Sequence, residues 1–93
     1  MRRNAKVDAN QREIVAALRR AGASVQSLAP VGKGVPDLLV GFRGRNVLLE
    51  VKDGQKPPSA RKLTDDEQVW QWGWKGQVLT VESVDEALDA IGL

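Results

Sequence analysis

The sequence contains no cysteine, no histidine and no tyrosine. Without cysteine there is neither a disulfide nor a thiolate metal site, and a reducing interior is the natural setting. Without histidine, zinc centres of the histidine type, Ser-His-Asp triads and histidine-based nucleases are excluded, and the lack of tyrosine removes tyrosine recombinases. Chemistry is left to carboxylates, lysines, arginines and hydroxyls. Aromatic residues are scarce too, one phenylalanine and three tryptophans, so the core must be aliphatic. Long apolar runs are also missing. The longest, Ile14 to Leu18, is far too short to cross a bilayer, and the basic start Met1-Arg2-Arg3 leads into polar residues with no apolar segment behind it. A cytoplasmic protein without a membrane partner is expected.

What remains is a chain of 93 residues with globular usage, 42% hydrophobic and 28% charged. That length predicts a single domain over residues 1–93, with so small a core that a second subunit would help. The net charge is only +2, but it is unevenly spread. Residues 1–45 hold nine Lys/Arg against three Asp/Glu, and residues 46–93 hold five against nine. Such asymmetry suits a face that binds a polyanion, although a solvated basic helix explains Arg12, Arg19 and Arg20 equally well.

Asp8 and Gln11 have the spacing of a capping box, and Ile14, Ala17, Leu18 and Ala21 then recur on one helical face until Gly22, which predicts a helix over 9–21. Val25 to Leu28 reads as a short strand. Two apolar runs follow, Asp37 to Phe42 and Asn46 to Lys52, separated by Arg43-Gly44-Arg45, and read as a hairpin. Residues 53–63 lack periodicity and contain two prolines, which predicts a mobile basic loop. Thr64 with Glu67 opens a helix to about Trp74, Gln77 to Val81 is a strand, and Ser83 with Glu86 opens a last helix ending at Gly92. The order is αβββαβα.

If the hairpin turns on Gly44-Arg45, Arg43 pairs with Asn46, Leu39 lies opposite Glu50, and Asp37 lies opposite Lys52. All four then share a face, and Asp37 and Glu50 become diagonal neighbours about 7–8 Å apart, able to converge on one divalent cation. A three-residue turn without a bulge would send Asp37 to the other face. Carboxylates and a lysine among Leu38, Leu39, Val40, Val47, Leu48, Leu49 and Val51 are costly unless compensated, and a bound cation is one compensation. The alternative is an aspartate at a strand start and an exposed Glu-x-Lys at a strand end. Lys33, Lys56, Arg61 and Lys62 in the flanking loops, with Arg43 and Arg45 at the hairpin tip, are placed to contact phosphates.

Val35-Pro36-Asp37, twelve intervening residues and Glu50-Val51-Lys52 resemble the motif of PD-(D/E)XK nucleases. Adding Gln11 and Glu13, the Gly32-Lys33-Gly34 run, and Leu63-Thr64 to Gln68 and Trp70, residues 8–92 resemble the stand-alone VRR-NUC branch, short phage and prophage nucleases similar to Holliday-junction resolvases. The resemblance implies a restriction-endonuclease-like α/β core with a central mixed sheet flanked by helices. It implies metal ligands at Asp37, Glu50 and the Val51 carbonyl, a further carboxylate from Glu13, a glutamine facing the site at Gln68, and Lys52 positioning or activating the attacking water. Hard oxygen ligands and a phosphate substrate favour Mg²⁺ or Mn²⁺. The expected protein is a homodimeric DNA endonuclease acting on branched or structured DNA in a bacterial or phage-infected cell. A catalytically silent DNA-binding module of the same fold is the runner-up, and an interaction factor without metal a third class. Trp70 and Trp74 can align on one helical face, with Trp72 opposite.

Overall fold

The computed structural model describes residues 8–93; the basic start Met1 to Arg3 lies outside them. The elements run α1 (Gln11–Arg20), β1 (Ser24–Ser27), β2 (Leu38–Phe42), β3 (Arg45–Val51), α2 (Asp65–Gly73), β4 (Val78–Val81) and α3 (Val84–Ala90). The predicted αβββαβα order is therefore the observed one, in a four-stranded sheet ordered β1-β2-β3-β4. β1 and β2 are antiparallel, as are β2 and β3, while β3 and β4 are parallel and joined through α2. β3 is hydrogen-bonded on both sides, and every residue from Val47 to Val51 is buried, which is why its sequence reads as a continuous apolar run broken only by Glu50.

One face of the sheet holds the core. Ile14, Ala17 and Leu18 of α1 and Ala87 and Ile91 at α3 pack on Leu38, Val40, Val47, Leu49, Val51 and Val81. The other face carries Leu39, Leu48 and the polar residues of the motif. α2 crosses this second face without burying any residue of its own. Between it and the sheet lies a groove of 440 Å³ lined by Leu28, Leu39, Leu48, Trp70 and Trp74.

The hairpin turns one residue earlier than the sequence suggests. Phe42 pairs with Arg45, and Arg43 and Gly44 form the turn with φ of 52° and 79°. Two successive positive φ angles make a two-residue turn whose twist matches that of the strands, and this outweighs the strain of placing an arginine in the left-handed region. Leu39 is accordingly paired with Leu48 and not with Glu50. The shift is two residues, so every side chain keeps its predicted face.

Two further expectations change. The N-cap position of α1 is Asn10, not Asp8, and its side chain makes no capping hydrogen bond, while the Asp8 carboxylate pairs with Lys56 at 3.1 Å. Residues 53–63 contain a short 3₁₀ turn, Pro58–Ala60, with proline at its start. Lys56–Asp8 and Arg61–Glu82, the latter at 3.0 Å, tie this loop to the body. The capping box at Thr64 and Glu67 is complete. At Ser83 only half forms: its hydroxyl accepts from the Glu86 N–H, while the Glu86 side chain accepts from Glu82 N.

Candidate active site

Continuing the β2–β3 register one step past Leu38 and Leu49 sets Asp37 across from Glu50, closer than the diagonal relation predicted. The ladder ends here for a local reason. Asp37 Oδ2 accepts the Val51 N–H at 2.7 Å, so a side chain takes the place of a backbone carbonyl. Lys52 follows at the end of β3 and its N–H bonds to the Val81 carbonyl. Asn10 supports this strand end from α1: its Nδ2 donates to the carbonyls of Lys52 at 3.0 Å and Glu82 at 3.1 Å. The sequence does not single out Asn10, since an asparagine before a helix reads simply as a cap.

Glu50 is only 2% exposed and its Oε1 has no hydrogen-bond partner. Burial, then the neighbouring charge of Asp37, pushes its carboxyl up to about 9. Burial likewise raises Asp37, although the Val51 N–H works in the opposite direction. Lys52 Nζ stands 3.8 Å from Glu50 Oε2 and 2.8 Å from Glu67 Oε1. Burial opposes the charge on both partners of the shorter pair, yet their mutual hydrogen bond prevails, raising Lys52 and lowering Glu67. Two carboxyls that resist ionisation thus lie beside a lysine that keeps its proton.

The structure brings Asp37, Glu50, Val51 and Lys52 together and adds Glu67, which the sequence marks only as half of a capping box. It does not add Glu13 or Gln68. Glu13 is exposed on α1 and lines a separate hollow with Asn10, Asp53 and Glu82. Gln68 is exposed on α2, one residue beyond the side chain that reaches the site. Among the described residues, no three carboxylates are arranged as a complete cation cage. Of the candidate phosphate contacts, Lys33, Arg43, Arg45 and Lys62 are exposed and form no ion pair among the described residues, whereas Lys56 and Arg61 are already neutralised by Asp8 and Glu82. No helix among the described residues is long and apolar enough to cross a membrane.

No family model and no curated protein matches the sequence. A solved structure described as a VRR_NUC domain is similar to this chain with a TM-score of 0.56 and 26% identity, over 90% of this chain and 96% of that one. The likeness therefore covers both chains nearly end to end. With its mixed sheet, flanking helices and paired acidic residues at the hairpin base, the chain has an α/β restriction-endonuclease-like, nuclease-type fold and is similar in structure to the VRR-NUC family.

Proposed function

We propose that this protein is a metal-dependent endonuclease that hydrolyses phosphodiester bonds in branched or structured DNA. The observation that supports this reading best is the buried, unpartnered Glu50 Oε1 beside Asp37. A carboxyl oxygen that finds no donor in the protein, next to a second carboxyl and with no nitrogen or sulfur ligand near, fits a hard divalent cation such as Mg²⁺ or Mn²⁺. Asp37 and Glu50 would hold it, with the carbonyl of Val51. When bound, such an ion supplies Lewis acidity toward a phosphoryl oxygen and lowers the pKa of water.

The protein's own groups do the rest. Lys52, kept charged by Glu67, suits stabilisation of negative charge building on the phosphate better than removal of a proton from water. The Val51 N–H holds Asp37 in place from the backbone. Lys33, Arg43, Arg45 and Lys62 would meet phosphates along the same duplex or branch. Glu13 and Gln68 take no part in this proposal.

Purified protein incubated with labelled junction, flap, duplex and single-stranded DNA should cleave the branched substrates in Mg²⁺ or Mn²⁺ and none in EDTA. Binding without cleavage under every metal condition would favour the silent module instead.

A homodimer is part of the same proposal. Val69 and Trp72, neighbours three apart on α2, are 62% and 75% exposed, and apolar surface of this kind is suited to contact between copies. Sedimentation at micromolar concentration should report twice the chain mass. A monomer throughout would leave nicking in place of paired cuts.

A further inference from the structure

The capping box of α2 holds an oxygen with two tasks. Glu67 Oε1 accepts from the Thr64 N–H at 2.9 Å, which completes the box, and from Lys52 Nζ at 2.8 Å. A capping glutamate needs only the first of these. The second reaches fifteen residues back in the chain, to the lysine of the motif. Lys52 has no comparable alternative, since its distance to Glu50 is 3.8 Å. A lysine on a four-carbon stem is not fixed by a contact that long.

Glu67 is itself held on two sides. Its N–H donates to Thr64 Oγ1 at 3.2 Å. The first turn of α2 also lies directly on the loop that leads to Asp37: a Cβ at Gly34, whose φ is +83°, would collide with the Asp66 carbonyl and come within 2.9 Å of the Glu67 nitrogen. Because α2 buries no residue, these contacts and the Lys52 pair locate its N-terminus. We infer that Glu67 is a positioning residue, fixing the Lys52 ammonium against the Asp37–Glu50 face from the first turn of α2. Its effect on turnover rests on the endonuclease reading; its hold on Lys52 does not.

Full-length Glu67→Ala and Thr64→Ala proteins separate this role from helix capping, since both break the box and only the first releases Lys52. Two readouts are needed. In EDTA, acetylation of Lys52 followed by mass spectrometry should be about threefold faster or more in Glu67→Ala and near the parent rate in Thr64→Ala, because only Glu67→Ala leaves the amine without its anion. With Mn²⁺ and branched DNA, Glu67→Ala should lower kcat by about tenfold or more at unchanged KM, and Thr64→Ala should stay within about twofold of the parent. Should Glu67→Ala fail to fold, Glu67→Gln keeps both hydrogen bonds without the charge and should move both readouts the same way by less. Equal responses of the Glu67 and Thr64 variants would reduce Glu67 to a cap and overturn the inference. If the parent cleaves no DNA, the endonuclease reading falls, and the acetylation rates alone decide the role of Glu67.

Discussion

Asp37→Asn should abolish cleavage while leaving the fold and metal-free DNA binding intact. The asparagine oxygen can still accept the Val51 N–H, so the strand ends stay joined. What is lost is one of two anionic oxygen donors, and with it the cation that the proposal places there. Loss of a preorganised charge in a site of this kind costs on the order of 100- to 1000-fold in rate. Lys52→Ala should fall by a similar factor while retaining Mn²⁺ binding, and Lys52→Arg should not restore activity, because a planar, delocalised guanidinium does not reproduce the compact ammonium held 2.8 Å from Glu67 and 3.8 Å from Glu50. Initial rates on branched DNA, with calorimetric Mn²⁺ titrations of each variant, measure both effects. Parental rates in either Asp37→Asn or Lys52→Ala would sink the proposed site.

The second large effect runs in the opposite direction. Metal-free Glu50→Gln should be more stable than the parent at pH 8, by about 1–3 kcal/mol, the usual scale for relieving an uncompensated buried polar group. Near pH 4.5 the two proteins should converge. An acid whose folded pKa lies above its unfolded one keeps its proton in the folded chain while the unfolded chain releases it, so stability falls as pH rises from about 4.5 to about 9. The raised carboxyl of Asp37 adds to the same fall. Lys52 and Glu67 do not cancel it, since the raised lysine matters only above its ordinary value of 10.5 and the lowered glutamate only below its ordinary 4.5. Thermal melts from pH 4.5 to 8.5 in EDTA would register each kcal/mol as roughly 4–8 °C at this chain length. Mn²⁺ should restore stability to the parent, by about 2.7 kcal/mol at 100 times its Kd, and do little for Glu50→Gln. A parent protein whose melting point rises with pH in EDTA would contradict the reading of Glu50.

How much of this could be read from residues alone depends on how local each cause is. The capping box at Thr64 and Glu67, the apolar stripe of α1 and the two strands of the hairpin are set by neighbours within a few positions, and all appear as expected. The face shared by Asp37, Glu50 and Lys52 was also legible, because side-chain parity survives a two-residue error in register. The turn itself was harder: Gly44 can stand first or second in a two-residue turn, and only pairing across the strands decides that Arg43 takes the strained position. The second task of Glu67 and the pairing of Lys56 with Asp8 join residues 15 and 48 apart, and nothing in local spacing announces them. For the same reason a helix glutamate and a helix glutamine, Glu13 and Gln68, could be placed near the site by resemblance but not by geometry.

The base of the β2–β3 hairpin is fastened at Asp37 and Val51, whereas its tip at Arg43 and Gly44 projects into solvent. The length of this hairpin is therefore constrained in parity more than in size so long as its turn keeps two residues. Adding one residue to each strand lengthens the free end and leaves the two carboxyls facing each other; adding one residue to a single strand sends one of them into the aliphatic core unless a bulge absorbs it. The twelve residues between Asp37 and Glu50 thus grow by twos when the two-residue turn is kept, and an odd spacing keeps the two carboxyls opposed only if a longer turn or a bulge takes up the extra residue.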